Sequence, residues 1–269
     1  MYMKECYYYE EYTLESGSLD PSVDHLYVLT MHESPRIHKI KEQIHKAKVV
    51  SNITIQYNYG YKNCHKELKK QGPTYDIIHA LQTSFRHALS KGYKRIMVLE
   101  DDCQFDERIR DPEVIDDLNS FFIQKNPQVY NFGSTLGSIV NPLDVLLHNK
   151  HHLVFCMGLS HCVVYNQDYM QYAAHNEFKT KATDNEYNLV LSKYMYHKPL
   201  AYQILEETEN FKEGWGIWAN IYKYFIFHLF PLNKSVQPAF DNVKLCSDYM
   251  SVIVFMLIIL KIKNIWLSK

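Results

Sequence analysis

Three adjacent acidic residues, Glu100, Asp101 and Asp102, directly follow the apolar residues 96–99. Four apolar residues in a row suit a strand buried inside an α/β sheet. Adjacent carboxylates repel one another unless water or a cation offsets their charge, and ligands collect at the carboxyl ends of such strands. Mg²⁺ and Mn²⁺ prefer carboxylate oxygens and leave positions open for substrate phosphates. The pattern therefore predicts a cation site for a phosphorylated ligand, with a solvated acidic turn as the alternative.

The elements ahead of the acidic run predict a sheet that positions it. Residues 26–29 indicate a first buried strand, followed by a polar loop over residues 30–36. Apolar residues then recur at helical spacing from Ile37 to Ala47, and residues 49–57 read as a second strand. Strand, helix and strand in this order predict a parallel pair with a right-handed crossover.

A second helix, from Tyr75 to a glycine stop at Gly92, leads into the acidic strand. This repeat of helix and strand places the acidic run at the same sheet edge as loop 30–36, because parallel strands share their carboxyl edge. We therefore expect the two loops to meet around one ligand.

Further elements are expected along the rest of the first 215 residues. The predicted helices cover residues 111–122, 168–175 and 183–194, and the predicted strands cover residues 129–133, two segments of 153–165 broken at Gly158, and 199–203.

Composition excludes some functional classes. The chain has 269 residues, a formal net charge of −1 and a sequence pI near 6.9. A nucleic-acid partner is not expected, because it would need a basic face. No continuous apolar leader opens the chain, so we expect a cytoplasmic protein that is not secreted.

The six cysteines show no CxxC pair and no regular spacing. This favours reduced thiols in a cytosolic setting and argues against a disulfide framework. A histidine- and cysteine-rich stretch offers zinc-type ligands, although its spacing matches no common zinc finger. Its residues are His151, His152, Cys156, His161 and Cys162.

The C-terminal segment has a different composition. Residues 217–232 are rich in aromatic side chains, and residues 250–260 are almost wholly apolar before Lys261 and Lys263. This run is shorter than the about 20 residues that a spanning helix needs. We therefore expect an interfacial membrane anchor through residues 217–232 and 249–267, with a buried C-terminal helix as the alternative.

Three stretches together resemble glycosyltransferase family 25, the lipopolysaccharide and collagen sugar transferases, and particularly its members in giant viruses. Glu-Ser-Pro-Arg at residues 33–36 resembles the family's loop of a small polar pair, proline and arginine. Val-Leu-Glu-Asp-Asp at residues 98–102 resembles its acidic metal motif. Asp184, Tyr202-Gln203 and Thr208-Glu209-Asn210 resemble the segment that closes the acceptor side.

The resemblance implies a GT-A type nucleotide-binding mixed sheet flanked by helices, followed by an apolar C-terminal tail. It implies an N-terminal extension over residues 1–24, a catalytic domain over residues 25–215 and a C-terminal segment over residues 216–269. The implied reaction moves a sugar from a nucleoside-diphosphate donor to a hydroxyl of a glycan or glycoprotein acceptor, with inversion and with Mn²⁺ or Mg²⁺ as cofactor.

Donor-side roles follow from the same resemblance. In an extended segment Glu100 and Asp102 share a face and Asp101 points the other way. We expect Asp102 to bind the metal first, with Asp101 or Glu100 beside it or on the donor's ribose hydroxyls. Arg36 is the expected phosphate or base contact, because its planar fork suits phosphate oxygens.

Acceptor-side roles are also implied. Asp184 is the preferred base for the acceptor proton, with Glu186 as the second candidate, although both also suit the first turn of a helix. Gln203, Glu209 and Trp215 are expected to shape the acceptor pocket.

Two other functions stay open. Thr30 and Met31 stand where the family usually has asparagine and leucine, so the chain could keep the fold and only bind a nucleotide or glycan. A metal-dependent phosphoryl transferase would also use clustered carboxylates, but the sequence shows no P-loop and no second acidic cluster at obvious spacing.

Overall fold

The structure, a computed structural model, describes residues 6–134, 137–178, 189–204, 224 and 236–267. Within these ranges the strands are β1 Tyr7–Thr13, β2 His25–Met31, β3 Asn52–Asn58, β4 Arg95–Glu100, β5 Cys103–Phe105, β6 Val129–Asn131, β7 Gly137–Ile139, β8 His151–Met157, β9 Cys162–Asn166, β10 Lys193–Tyr196 and β11 Ala201–Gln203. The helices are α1 Ile37–Ala47, α2 Pro73–Ser90, α3 Pro112–Lys125, α4 Leu143–Leu146, α5 Gln167–His175 and α6 Val236–Leu267.

The strands of the described ranges form one nine-stranded sheet, ordered β1-β3-β2-β4-β9-β6-β10-β8-β7, and a two-stranded sheet of β11 and β5. β2 runs parallel to both β3 and β4, as expected from the strand-helix-strand opening. β9 lies antiparallel between β4 and β6, which makes the large sheet mixed. The predicted fold class, a mixed α/β sheet flanked by helices with an apolar C-terminal helix, is confirmed.

Both faces of the central strands are buried. In β2, Leu26 and Val28 join a core with residues of α1 and α3, whereas Tyr27 and Leu29 join a second core with residues of α2 and α5. Alternate side chains of a strand point to opposite faces, so a strand covered by helices on both sides reads as a continuous apolar run. This explains why residues 26–29 carry no polar alternation.

Helix positions follow local signals where those signals are present. Asp111 accepts a hydrogen bond from the Glu113 backbone N–H at 2.9 Å and so caps α3, while Pro112 occupies the first turn. α2 begins at Pro73, two residues before the predicted start at Tyr75, because proline is well suited to a helix N-terminus.

Two segments differ from the expected elements. The N-terminal extension contributes β1, which pairs antiparallel with β3 along the edge of the sheet. The helix predicted over residues 183–194 is wrong at its end, because Lys193–Tyr196 forms β10 between β6 and β8. Pairing with strands more than 40 residues away in sequence overrides the local helical pattern there. Residues 183–188 lie outside the described ranges.

The expectation that all cysteines are reduced thiols is wrong for one pair. Cys6 and Cys64 form a disulfide, although 58 positions separate them in sequence. The bond joins the residue before β1 to the loop between β3 and α2. The pairing of β1 with β3 brings the two cysteines together. Their spacing in the sequence therefore gives no local signal of the bond.

Candidate active site

The carboxyl ends of β2 and β4 meet at one edge of the sheet. The register of these parallel neighbours places Leu29 opposite Glu100. Thr30 and Asp101, the next residues, therefore come close together as each segment leaves the sheet. The predicted meeting of the loop after β2 with the acidic run is confirmed.

Asp101 holds the loop after β2 through two contacts. Its Oδ1 pairs with Arg36 Nη2 at 2.8 Å, and its Oδ2 accepts a hydrogen bond from the Thr30 hydroxyl at 2.7 Å. Asp101 is buried, whereas the Arg36 side chain remains 22% exposed. Both Asp101 oxygens are thus engaged by the protein, and their effect is to fix the Arg36 guanidinium at the sheet edge.

The three acids do not alternate as expected for an extended segment. Asp101 and Asp102 form a turn between β4 and β5, so strand alternation ends at Glu100. Glu100 Oε1 accepts a hydrogen bond from the Ser160 hydroxyl at 2.8 Å. The expectation that Glu100 and Asp102 share a face is therefore wrong. Each of the three carboxylates has different partners.

Asp102 is the most deeply placed of the predicted metal ligands. It is 4% exposed, and its Oδ2 accepts a hydrogen bond from Gln203 Nε2 at 3.0 Å. The pairing of β5 with β11 brings Gln203 to this position from 101 residues away. Burial raises the pKa of Asp102 to about 6, and the Gln203 hydrogen bond and the Arg36 charge oppose this rise.

Two buried polar atoms at this edge have no hydrogen-bond partner among the described residues. They are Asp102 Oδ1, an acceptor, and Arg36 Nε, a donor. Buried polar side-chain atoms are nearly always paired, so an unpaired donor and an unpaired acceptor on one edge indicate a place where a ligand or water binds.

The residues at this edge can provide some, but not all, of the ligands of a divalent cation. The unpaired Asp102 Oδ1 is a carboxylate oxygen of the kind that Mg²⁺ and Mn²⁺ prefer. Within the described ranges, however, no three His, Cys, Asp or Glu side chains are grouped so as to hold a metal, which also removes the zinc alternative there. The donor set therefore suits a cation shared with substrate phosphates, which Mg²⁺ sites commonly use, and not an all-protein cage.

A second polar cluster lies at the end of β3 and was not expected from the sequence. The Lys66 ammonium contacts both Asn58 Oδ1 and Asp76 Oδ1, and Asn58 Nδ2 donates to Asp76 Oδ2 at 3.1 Å. All three residues are buried. The cluster ties the loop after β3 to the first turn of α2, because a buried lysine needs a charge partner.

Sequence reasoning also missed Thr30 and Ser160 as partners of the acidic run. The sequence offered a signal for Thr30, because it directly follows the predicted first strand at residues 26–29. Ser160 lies in a loop 60 residues beyond Glu100, and no sequence pattern connects the two. Asp184, Glu186, Glu209 and Trp215 lie outside the described ranges, so their predicted roles stay predictions. The residues that the structure brings together are therefore those predicted for the donor side, together with Gln203.

Comparisons with known proteins indicate similarity of fold only. No protein-family model matches the chain, and no curated protein matches it significantly. Among solved structures it is similar to A197 from STIV, with 15% identity, a TM-score of 0.40, and coverage of 68% of this chain and 86% of that one.

Two further structures with similarity are enzymes by their descriptions. One is described as a glucose-1-phosphate thymidylyltransferase from Bacillus anthracis in complex with a sucrose, with 12% identity, a TM-score of 0.36, and coverage of 66% of this chain and 69% of that one. The other is described as a UDP-N-acetylglucosamine pyrophosphorylase from Entamoeba histolytica, with 13% identity, a TM-score of 0.30, and coverage of 57% and 46%. Similarity at these TM-scores carries no functional conclusion for this chain.

Proposed function

We propose that this chain is a GT-A type, metal-dependent glycosyltransferase related to family 25. It moves a sugar from a nucleoside-diphosphate donor to a hydroxyl of a glycan or glycoprotein acceptor, with inversion. The observation that carries the proposal is the pair of unpartnered buried atoms, Arg36 Nε and Asp102 Oδ1, at the ends of adjacent parallel strands. A metal-bound diphosphate offers both an anionic oxygen for the guanidinium and a cation for the carboxylate.

The protein's own residues divide the donor side between binding and positioning. Arg36 binds a phosphate oxygen, and Asp101 orients the guanidinium through the 2.8 Å ion pair. Gln203 occupies Asp102 Oδ2 and leaves Oδ1 free to face the ligand. When bound to Asp102, Mn²⁺ or Mg²⁺ would supply neutralisation of the charge that develops on the leaving diphosphate.

The acceptor side rests on the family resemblance. We propose that Asp184, or Glu186 in its place, takes the proton from the acceptor hydroxyl as the new glycosidic bond forms. Glu209 and Trp215 would contact the acceptor, and Gln203 would contribute through Asp102. We place the reaction in the cytoplasm, at the cytosolic face of a membrane.

A second function is favoured by one observation. Asp101 uses both carboxylate oxygens within the protein, and Glu100 Oε1 accepts from Ser160, so Asp102 Oδ1 is the one buried carboxylate oxygen of the run without a hydrogen-bond partner among the described residues. A site with one such oxygen also suits a protein that binds a nucleotide or glycan without turning it over.

Donor hydrolysis distinguishes the two functions. A panel of nucleotide sugars is incubated with Mn²⁺ and either the intact protein or Asp102→Asn, and release of nucleoside diphosphate is measured. We expect at least one donor to be hydrolysed by the intact protein and a loss of about 100-fold in Asp102→Asn, because the amide removes the anionic ligand. Asp168→Asn, the same change at an exposed acid of α5, is the matched control and should leave the rate unchanged.

One outcome of this experiment would favour the binding function. If the intact protein hydrolyses no donor yet binds a nucleoside diphosphate in calorimetry, the binding function replaces the transferase.

A further inference from the structure

Helix α6 consists of two parts with opposite environments. Its first part packs on the domain, where Phe240 is 1% exposed and its ring lies 5.4 Å from that of Tyr202. Asp241 pairs with Arg108 at 3.0 Å, and Arg108 also donates to the Tyr202 hydroxyl at 2.6 Å. These contacts join the start of α6 to β11, the strand that also carries Gln203.

The next turns of α6 are bonded to the edge of the large sheet. The Ser247 hydroxyl donates to the Gly137 carbonyl at 3.0 Å, and Ser251 Oγ accepts a hydrogen bond from the Ile139 backbone N–H at 3.4 Å. Lys244 and Asp248 form a buried ion pair within the helix. The attachment of α6 to the domain therefore extends from residue 239 to residue 251.

Beyond Ser251 the helix leaves the protein. Every residue from Ile253 to Leu260 is apolar, and each of these side chains is 38–59% exposed. Eight consecutive apolar residues cover the whole circumference of a helix, because 3.6 residues make one turn. This part of α6 has no polar face that could rest against water.

The all-round apolar surface identifies the medium that covers it. A core helix of a soluble domain would be buried, yet only 6% of the most apolar part of α6 is buried. An interfacial helix or a helix in a protein groove keeps a polar face toward water. A helix that is apolar on all sides and exposed suits the hydrocarbon interior of a bilayer.

The length and ends of this segment agree with a bilayer. Residues 252–267, beyond the last contact of α6 with the domain, extend about 24 Å at 1.5 Å per residue, and a bilayer can thin locally from its roughly 30 Å hydrocarbon core to match a shorter helix. Lys261 and Lys263 lie near the far end, where their long side chains can reach the headgroups. Trp266 is 79% exposed next to them, and tryptophan is enriched at membrane interfaces.

A second apolar surface lies on α4 and at the end of β7, the strand that is hydrogen-bonded to Ser247 and Ser251 of α6. α4 packs against α6 and is preceded by the end of β7. Four apolar side chains of this region are half or more exposed; they are Val140, Leu143, Leu146 and Leu147. We call these four residues the α4 patch. Its position beside the exit of α6 places it at the level where a bilayer surface would begin.

We propose that residues 252–267 of α6 span a lipid bilayer and that the α4 patch rests in its interface. The spanning arrangement differs from the interfacial anchor expected from the sequence, because the first part of α6 continues the helix without a break into the apolar run. The proposal is independent of the enzymatic function, since it uses none of the donor-site residues.

Extraction from vesicles tests the span. The full chain is synthesised in the presence of vesicles of phosphatidylcholine and phosphatidylserine in a 3:1 ratio, floated on a gradient, and washed with carbonate at pH 11. We expect most of the protein to stay with the vesicles after the wash. Val254→Asp/Ile258→Asp should lower the retained fraction at least tenfold, whereas Ile123→Asp/Leu191→Asp, two charges at exposed apolar positions elsewhere, should not.

Thiol labelling checks the same point without relying on the charged variants. Cys246 is exposed and lies just before the span. In the intact chain it should react with a polyethylene glycol maleimide whether or not vesicles are present. The thiol of Met256→Cys, introduced together with Cys246→Ser, should react in detergent and become at least tenfold slower in vesicles. Equal reactivity of the two positions in vesicles, or complete carbonate extraction of the intact chain, overturns the span.

The α4 patch has its own readout. A polarity-sensitive fluorophore attached at Leu147→Cys should brighten at least twofold when vesicles are present, whereas the same label at Ile123→Cys on α3 should not. An unchanged signal at Leu147→Cys removes the patch from the interface. A detergent-free oligomer of the intact chain that ignores vesicles would show that copies of the protein cover α6 instead, and would overturn the whole proposal.

Discussion

The Asp101 carboxylate connects the residues that we propose bind the donor. It accepts from Thr30 and pairs with Arg36, so removing its charge frees the guanidinium without removing it. For Asp101→Asn we expect the donor KM to rise about tenfold with a smaller change in kcat, because binding geometry is lost before chemistry is. Donor hydrolysis at varied donor concentration measures both constants.

The same substitution should also lower the free energy of unfolding by about 2 kcal/mol, since a buried charged hydrogen bond is lost. Glu10→Gln is the matched control, because Glu10 pairs with Lys41 at 2.7 Å on the protein surface. Exposed ion pairs contribute at most about 1 kcal/mol, so that variant should change stability little and leave the donor KM alone. A KM shift as large in Glu10→Gln as in Asp101→Asn would contradict the positioning role.

His161 predicts a pH dependence of stability. It is 1% exposed, and burial lowers its pKa to about 4, with the Ala201 backbone opposing this shift. A histidine in the unfolded chain titrates near about 6.5. Between these values the unfolded state binds a proton that the folded state excludes, so stability falls as pH decreases from 6.5 to 4 and is unaffected by this group above 6.5.

From pH 7 to pH 5 this single residue should reduce the free energy of unfolding by about 2 kcal/mol. His161→Gln should therefore lose about that much less over the same interval in urea unfolding. His38→Gln, at an exposed position of α1, should follow the intact protein. Identical pH slopes for the intact protein and His161→Gln would show that the pKa of His161 is the same in the folded and unfolded states.

At the scale of elements, the disulfide between Cys6 and Cys64 closes a loop of β1, β2, α1 and β3. Cross-linking a loop of this size restricts the unfolded chain, and Cys6→Ser/Cys64→Ser should lower the free energy of unfolding by roughly 2–4 kcal/mol. Unfolding in the absence of reductant measures this difference. Cys156→Ser/Cys246→Ser, which changes two free cysteines, is the control and should cost less.

The same disulfide bears on the compartment. Disulfides are rare in the cytosol, so a cytosolic protein should show reactive thiols at both positions when cells are lysed into an alkylating agent. Protection of Cys6 and Cys64 in that assay would contradict the cytosolic location that we propose.

Short-range patterns predicted much of the sheet and of its edge. The apolar run before Glu100 and the helical spacing from Ile37 to Ala47 are properties of a few neighbouring residues, and both elements are present. The meeting of Arg36 with the acidic run also followed, because two successive βα units must bring their loops to one edge.

The parts that sequence reasoning missed depend on contacts between distant residues. Ser160 reaches Glu100, and β10 forms between β6 and β8, only because the antiparallel strand β9 is inserted into the sheet. The turn at Asp101 and Asp102 likewise reflects the pairing of β5 with β11, which comes from about 100 residues later in the chain. No local pattern around the acidic run encodes these partners.

At the scale of the whole molecule, the sheet and the exposed end of α6 should be separable. Residues 252–267 contribute little to the cores, so a chain that ends at Ser251 should keep its thermal midpoint within about 2 °C and its donor hydrolysis within about twofold. A chain that ends at Gln237 should instead be destabilised, because it lacks Phe240, Asp241 and the buried pair of Lys244 and Asp248. Equal stability of the two truncated chains would show that the first part of α6 is not attached as described.

The unbroken course of α6 has a geometric consequence. A catalytic domain tethered by a loose linker samples many heights and orientations above a surface, whereas a domain fused to a continuous helix follows the tilt of that helix. With α6 hydrogen-bonded to β7 and packed against β11, the sheet edge of Arg36 and Asp102 would stand at one height above the bilayer and face one direction. Only acceptor hydroxyls presented at that height would come within reach of the site. The distance of the acceptor's sugar chain from the membrane would then decide which acceptors the enzyme uses.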